Sequence, residues 1–313
     1  MKRPLGQSGL YIEPFVLGGN VFGWTADQAT SFTLLDAFLA EGFNAVDTAD
    51  AYSRWVPGND SESEKIIGRW MKTRGTRDKI ILCTKVGTDM GQGRKDLRAS
   101  WIVQAVEDSL RRLQTDVIDL YQTHWPDALT PEEETLGAYD LLIKAGKVRA
   151  IGTCNYNKGL LDTALGLSAT QGLPRYQTVQ NEYNLLSRSA YEGEVQEICV
   201  SQGLGAIPYY GLSAGFLTGK YRTVADLDQS ARGESVKRFM TPRGMAILAA
   251  MDTVAERSGA AHAEIALAWI IAQPGIAGPI ASATSVTQLQ SLARGARLAL
   301  SATDLAELTA AGA

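Results

Sequence analysis

The stretch NAVDTADAYSRW, residues 44 to 55, is the most informative part of the sequence. A short apolar run at 43–46 has the composition of a buried strand and ends at Asp47. Tyr52 follows five residues later, and an amphipathic helical pattern begins near residue 61. A strand, a polar loop and a helix in this order form one β/α unit, so the stretch predicts a fold built from such units.

The same unit recurs along the whole chain, because short apolar runs alternate with longer segments of helical spacing. Strands are expected at 15–19, 43–46, 79–84, 117–121, 147–152, 176–180, 205–209 and 277–281. Helices are expected at 28–41, 61–73, 99–113, 131–145, 157–167, 190–202, 243–257, 262–272 and 285–294. One more helix should follow Ser301, which is a good N-cap residue.

Eight strands, each followed by a helix, predict an α/β fold: a single (β/α)8 TIM-type barrel domain over residues 1–313 with a C-terminal helix. The alternative is a doubly wound open sheet, but no GxGxxG follows the first strand. The loop after strand 7, residues 211–241, is long and lacks periodicity. We expect it to be a lid over a ligand.

Composition excludes several classes of partner. The net charge of −4 and the pI of about 5.4 give no reason to expect binding to nucleic acid or to an anionic membrane surface. The three cysteines, Cys83, Cys154 and Cys199, have neither CxxC nor metal-ligand spacing, so no metal site is expected and a cytoplasmic, reducing location is favoured. The N-terminus does not resemble a signal peptide, and no apolar run reaches eighteen residues. A small molecule is therefore the expected ligand.

Three ionisable residues end consecutive predicted strands: Asp47, Lys85 and His124. Taken singly, each has an ordinary structural explanation, such as a cap, a surface lysine or a histidine bonded to the backbone. Together with Tyr52 they converge on the C-terminal face of the barrel, where barrel enzymes have their active sites. His124 is also one of only two histidines in the chain.

This set of side chains indicates acid catalysis by a phenol. A nearby ammonium lowers the pKa of tyrosine from its usual value near 10, and a carboxylate keeps that ammonium charged when it is desolvated. A neutral histidine N–H polarises a carbonyl oxygen. Because the set contains neither a nucleophile nor a metal site, the electrons must come from a bound cofactor.

The sequence motifs resemble those of the aldo-keto reductases. The resemblance rests on GFNAVDTA, EKIIG, LCTKVG, DLYQTHWPD, KAGKVRAIGTCNY, VQNEYNLLSR and FLTGKY, which occur in order over nearly the whole chain. The loop between Ala49 and Glu64 is longer than in the aldose-reductase branch. The wording is closer to the bacterial members and to the β-subunits of potassium channels.

The resemblance implies a role for each residue of the set: Tyr52 as proton donor, Lys85 and Asp47 as its supporting pair, and His124 as the group that orients the carbonyl. It also implies the cofactor-binding residues, of which Cys154 replaces the usual serine and Tyr210 stands where a serine hydroxyl is usual. They are Asp47, Cys154, Asn155, Gln180, Tyr209, Tyr210, Gly211, Leu212, Gly215, Lys220, Ser282 and Gln288. Within that set, Asn155 and Gln180 match the pair that bonds the nicotinamide carboxamide, and Tyr209 matches the ring that stacks on the nicotinamide.

The implied function is the NAD(P)H-dependent reduction of an aldehyde or ketone, with a small-molecule carbonyl as partner. The alternative is a cofactor-binding regulatory subunit with slow catalysis. The expected cofactor is NADPH, with NADH as an alternative, because 279–290 contains no lysine or arginine to hold a 2′-phosphate. The residues considered as substitutes are Arg232, Lys237, Arg294 and Arg297.

Three tryptophans, Trp24, Trp55 and Trp125, are expected in loops at the rim. They form either an aromatic wall for a sugar-derived or ring-bearing carbonyl, or a plain cover for the barrel mouth. The sequence assigns no oligomeric state.

Overall fold

The computed structural model describes residues 1–229 and 233–312. A small antiparallel hairpin, β1 (Arg3–Pro4) and β2 (Tyr11–Ile12), precedes the main sheet. The eight strands of the main sheet are all parallel to their neighbours. They are β3 (Val16–Gly18), β4 (Ala45–Asp47), β5 (Ile81–Val86), β6 (Ile118–Thr123), β7 (Val148–Cys154), β8 (Tyr176–Gln180), β9 (Gly205–Ala206) and β10 (Ile280–Ala281).

The sheet closes on itself. Strand β10 pairs with β3, and the order then follows the chain to β9. Between β9 and the residues before β10, the Ala206 N–H donates to the Gly275 carbonyl at 2.9 Å, and the Ala277 N–H donates to the Ala206 carbonyl at 2.7 Å. These bonds join the last strands to each other, so the predicted (β/α)8 barrel is confirmed.

The helices surround the barrel. They are α1 (Gln28–Ala40), α2 (Glu62–Arg74), α3 (Ala99–Leu113), α4 (Glu132–Lys144), α5 (Lys158–Gln171), α6 (Glu194–Gln202), α7 (Gly233–Lys237), α8 (Pro242–Ser258), α9 (His262–Ile271), α10 (Val286–Gly295) and α11 (Ala302–Ala311). Polar caps set several starts: Asp27, Asn157 and Ser301 each accept a backbone N–H of the first turn. The predicted cap at Ser301 is confirmed.

The barrel interior has an apolar lower layer and a polar upper layer. The lower layer contains Val16, Ala45, Cys83, Leu120 and Ala150, which form one buried cluster. Side chains two positions further along a strand lie on the same face. The upper layer is therefore Gly18, Asp47, Lys85, Gln122 and Gly152. On β4, β5 and β6 the alternation thus places polar side chains at the C-terminal end, whereas β3 and β7 have glycines at this level.

The N-terminal hairpin closes the opposite end of the barrel, and the sequence did not predict it. Leu5, Leu10 and Ile12 are buried and belong to the same cluster as the lower layer. Each strand of the hairpin has two residues, which is too short to show a period.

The long connection after β9 is partly helical. It contains 3-10 helices at Ser213–Thr218 and Val224–Gln229, followed by α7. Each has six residues or fewer, so no helical period was visible in the sequence. Among the described residues, the part up to Lys220 lines the main cavity and the remainder does not. The lid function stays a prediction.

No helix in the described part of the chain combines the length and the apolar character that crossing a membrane requires.

We expect Ile12→Ala to destabilise the protein by about 2–4 kcal/mol, because it empties space at the apolar end of the barrel. Ile12 is 0% exposed, whereas its neighbour Tyr11 is 54% exposed. Urea unfolding followed by tryptophan fluorescence measures the midpoint of each variant. Tyr11→Ala is the matched control and should leave the midpoint in place; equal midpoints for the two variants would contradict the packing of the hairpin.

Candidate active site

The ammonium of Lys85 lies at the centre of the site. Its Nζ donates to Asp47 Oδ2 at 2.5 Å, to the Thr48 carbonyl at 2.8 Å and to the Tyr52 hydroxyl at 2.9 Å. Lys85 is 0% exposed and Asp47 is 1% exposed. Three acceptors match the three N–H groups of the ammonium, so this buried charge is fully bonded.

The second oxygen of Asp47 is held by two amides. Asp47 Oδ1 accepts from Gln122 Nε2 and from Gln180 Nε2, each at 3.1 Å. Gln180 Nε2 also donates to Gln122 Oε1 at 2.9 Å. The sequence reasoning missed Gln122, although the alternation of β6 after the buried Leu120 points it into the barrel. Asp47 is therefore oriented towards Lys85 by groups on two other strands.

The phenol of Tyr52 keeps its proton more firmly than the sequence suggested. Burial raises the pKa of Tyr52 to about 12, and the charge of Lys85 lowers it only in part. The expectation of a net lowering is wrong for this site, because the desolvation of a phenolate outweighs one ammonium. Burial also lowers the pKa of Lys85, but the neighbouring Asp47 carboxylate reverses this and the net pKa is raised. The site thus contains a protonated phenol beside a permanent cation.

His124 is neutral. Burial lowers its pKa well below the usual value, and the charges of Lys85 and Lys95 lower it further. Its ring lies 5.9 Å from the Tyr52 ring, centroid to centroid, and both line the same cavity. Nδ1 of His124 lies 3.0 Å from the Thr88 hydroxyl. An imidazole held in this way has one N–H and one lone pair.

Asn155 joins the histidine to the next aromatic residue. Its Nδ2 donates to the His124 carbonyl at 2.9 Å, and its Oδ1 accepts from the Tyr209 hydroxyl at 2.9 Å. Asn155 has a φ of 61°, and Tyr210 and Ala214 have φ values of 62° and 58°. Non-glycine residues in the left-handed region are strained, and such residues cluster at functional sites.

Most of the side chains described above line one cavity of about 800 Å³. It is lined by every predicted cofactor-binding residue, by Tyr52 and His124, and by Trp55 and Trp125. Lys85 and Trp24 are not among the lining residues of the described chain. Lys85 lies behind Tyr52, and the rings of Trp24 and Trp55 form a T-shaped contact with their centroids 5.7 Å apart. The sequence reasoning missed the lining residues Asn20, Thr25, Thr218 and Ser291.

Comparison with known proteins agrees with this geometry. Residues 14–313 match the model of the aldo/keto reductase family. The chain belongs to the aldo/keto reductase family. The resemblance seen in the sequence is thereby confirmed, and the protein is an oxidoreductase acting on carbonyl groups. Members of this family typically bind NAD(P)H.

Similar proteins come from bacteria and from a plant. Protein tas of Escherichia coli is 33% identical, over 97% of this chain and 95% of its own length. Aldo-keto reductase YhdN of Bacillus subtilis is 34% identical, over 89% of this chain and 82% of its own. A probable voltage-gated potassium channel subunit beta of Arabidopsis thaliana is 29% identical, over 92% of this chain and 88% of its own. These relatives agree with the predicted branch of the family.

Two of the three arginines considered for the 2′-phosphate of the reductase's cofactor, Arg294 and Arg297, are paired with glutamates. Arg294 donates to Glu264 Oε1 at 2.7 and 2.9 Å, and Arg297 is paired with Glu41 at 2.9 Å. Among the described residues that line the cavity, Lys220 is the only cation. Lys237 does not line it, and Arg232 lies outside the described residues.

Asp50 is a buried carboxyl group beside the active site. It is 1% exposed, and no side chain of the described residues bonds to its carboxyl oxygens; the backbone N–H of Ala51 gives the ionised form only weak support. Nearby, Glu64 accepts from Arg112 and from the Thr84 hydroxyl, both at 2.6 Å. Burial raises the pKa of Asp50 to about 8, and the charge of Glu64 raises it as well. Asp50 is therefore a neutral acid at pH 7.

This raised pKa predicts a pH-dependent stability. Between about pH 4 and pH 8 the folded state binds a proton on Asp50 that the unfolded state does not. The free energy of unfolding then falls by about 1.4 kcal/mol per pH unit as the pH rises through that window. Asp50→Asn removes this contribution, so the variant should gain stability relative to the wild type with increasing pH.

Urea midpoints of the wild type and Asp50→Asn at pH 5, 7 and 9 measure the difference. Asp78→Asn, at an exposed position, is the control and should follow the wild type at each pH. Parallel pH profiles for wild type and Asp50→Asn would show that Asp50 is ionised in the folded protein.

Proposed function

We propose that the protein reduces an aldehyde or a ketone to an alcohol with NAD(P)H, and that Tyr52 donates the proton. The observation that supports this most directly is the Tyr52 hydroxyl, 2.9 Å from a fully buried Lys85 ammonium at the wall of the cavity. A phenol with a fixed cation beside it is suited to give a proton to an oxygen that becomes negative.

The lining residues fit a nicotinamide dinucleotide. Asn155 and Gln180 place amide groups near the Tyr52 end. Further along, three successive positive φ values at Ser213, Ala214 and Gly215, 48°, 58° and 98°, turn the backbone in the segment before Lys220. The N–H groups of Ser213 and Gly215 already donate to the carbonyls of Tyr210 and Leu212, so in this segment it is Lys220 that supplies the positive charge a diphosphate requires.

Residues of the protein itself supply the proton that the reduction of a carbonyl requires. When bound, the reduced nicotinamide supplies a hydride to the carbonyl carbon. His124 donates an N–H to the carbonyl oxygen, and Tyr52 transfers its phenolic proton to the same oxygen as negative charge develops there. The phenolate that remains is stabilised by Lys85, whose charge Asp47 maintains, and it recovers a proton from solvent. Because the pKa of Tyr52 is raised to about 12, the phenol stays protonated until negative charge develops on the carbonyl oxygen.

The substrate end of the cavity favours a neutral carbonyl compound with a flat face. Trp55 and Trp125 line this end together with Val21 and Thr25. None of these four side chains carries a charge, whereas aromatic faces contact both sugar rings and aromatic rings. A ring-bearing or sugar-derived carbonyl is therefore the proposed substrate class.

A cofactor-binding regulatory role is the second candidate, because one relative is named as a potassium channel subunit beta. The presence of the full set Asp47, Tyr52, Lys85 and His124 favours the enzyme. A panel of sugars, pyridoxal, quinones and short aliphatic aldehydes, assayed by NADPH and NADH oxidation, separates the two. Turnover with at least one carbonyl supports the enzyme, and cofactor binding without turnover across the panel supports the regulatory role.

We expect Tyr52→Phe to lower kcat by roughly two to four orders of magnitude on the best substrate of that panel, because only the proton donor is removed. The dissociation constant of NADPH, measured by fluorescence quenching, should stay nearly unchanged. Tyr11→Phe, at the hairpin on the far end of the barrel, is the control and should keep full activity. Near-wild-type turnover in Tyr52→Phe would exclude it as the donor.

The cofactor preference should be weak. The 2′-phosphate of NADPH carries close to two negative charges near neutral pH, and one charge-assisted bond contributes about 1.5–3 kcal/mol. With Arg294 and Arg297 bound to glutamates, we expect NADPH to bind at most about a hundredfold more tightly than NADH. A measured preference above about a thousandfold, some 4 kcal/mol, would contradict this.

Thr284→Arg tests the same point by adding a cation. Thr284 is exposed and lines the cavity beside Gln288, whose Oε1 accepts from the Thr284 hydroxyl at 3.1 Å. The variant should tighten NADPH by about ten- to a hundredfold and leave NADH within about twofold. Thr287→Arg, exposed but not among the lining residues, is the matched control. Equal tightening by both variants would indicate a general charge effect.

A further inference from the structure

Thr88 contacts the histidine of the site without lining the cavity. Its Oγ1 lies 3.0 Å from His124 Nδ1. Thr88 follows Lys85 by three residues, just past the end of β5. Gly87 between them has a φ of 107°, and a Cβ there would lie 2.8 Å from a Leu97 methyl group. Only glycine fits this turn, which places the Thr88 hydroxyl against the imidazole.

We propose that Thr88 is a positioning residue: its hydroxyl donates to Nδ1 of His124 and so fixes the tautomer with the proton on Nε2. Nε2 is then the nitrogen that can donate to a ligand in the cavity. The consequence for catalysis rests on the proposed function, whereas the tautomer itself does not.

The direction of the bond follows from the partners. The half-buried Thr88 hydroxyl has no other hydrogen-bond partner among the described residues, so Nδ1 is the one acceptor that this part of the protein provides for its proton. In the reverse direction, Nδ1–H would donate to Thr88 and leave the hydroxyl proton without an acceptor in the protein. Nε2 would then present a lone pair to the cavity, which repels a carbonyl oxygen instead of polarising it.

Neighbouring side chains restrict the orientation of the His124 ring and keep it neutral. Trp125 is stacked on His124, with ring centroids 6.0 Å apart and 17° between the planes. Lys95 Nζ lies 4.5 Å from the centroid of the Trp125 ring. The charges that act on His124 are Lys95 from the loop before α3 and Lys85 from β5, and the Tyr52 ring faces it from the β4–α2 loop. Both charges are positive and disfavour protonation of the ring to an imidazolium. The tautomer of the neutral ring therefore decides which of its two nitrogens carries the N–H.

The test is direct because the chain has only two histidines. Long-range 15N–1H NMR of the labelled protein without added cofactor distinguishes a protonated from an unprotonated ring nitrogen, and His262→Gln assigns the spectrum. We expect His124 to show a single neutral form with the proton on Nε2 from pH 6 to pH 8. A proton on Nδ1 in the wild type would overturn the proposal.

Two variants separate positioning from packing. Thr88→Val keeps the shape and loses the hydroxyl, so Nδ1–H should appear in the spectrum and kcat/KM should fall by about tenfold, as for the loss of one neutral hydrogen bond. NADPH affinity should be unchanged. Thr88→Ser should restore both the single tautomer and the activity. An unchanged spectrum in Thr88→Val, whatever the activity, would overturn the proposal. If the protein reduces no carbonyl at all, the NMR result still decides the tautomer.

Discussion

The candidate active site depends on one buried ion pair. Lys85 and Asp47 lie on adjacent strands with almost no exposure to solvent, 2.5 Å apart. A buried charge that loses its partner costs several kcal/mol, so neither residue is tolerable alone. The remaining hydrogen bonds of the pair come from neighbouring residues: Thr48 and Tyr52 accept from the ammonium, and Gln122 and Gln180 donate to the carboxylate. The phenol is therefore held in place by the same interactions that make the buried charges acceptable.

The barrel separates the apolar groups that stabilise the fold from the polar groups of the candidate site. Apolar side chains fill its lower half, and the N-terminal hairpin covers that end. On β4, β5 and β6 the polar layer begins only two residues further along the strand, where burial is still nearly complete. Water is thus excluded around Lys85 and Asp47, which strengthens their interaction and raises the pKa of Tyr52 at the same time. The site thus requires both the packed apolar lower layer and the exclusion of water from the polar upper layer.

The end of the cavity away from Tyr52 is lined by a different set of groups. There the lining comes from the segment after β9 and from the start of α10, with hydroxyls, amides and one lysine. Arg294 and Arg297 are near in sequence, yet each is bound to a glutamate from another element, Glu264 or Glu41. These pairs occupy the guanidinium groups, although both arginines are more than half exposed and such ion pairs are individually weak. The proposed weak cofactor preference therefore depends on the partners of these arginines as much as on their number.

The sequence by itself determined the barrel, the order of its strands and the residues at their ends. Short apolar runs and segments of helical spacing are local patterns, and Asp47, Lys85 and His124 each end such a run. Only the tertiary structure decided how these residues act. Gln122 and Thr88 contact the site across strands, and the hairpin packs against residues far away in the chain. The direction of the shift in the Tyr52 pKa was decided in the same way: the sequence shows that a lysine is near, but burial depends on everything packed around the phenol, and burial had the larger effect.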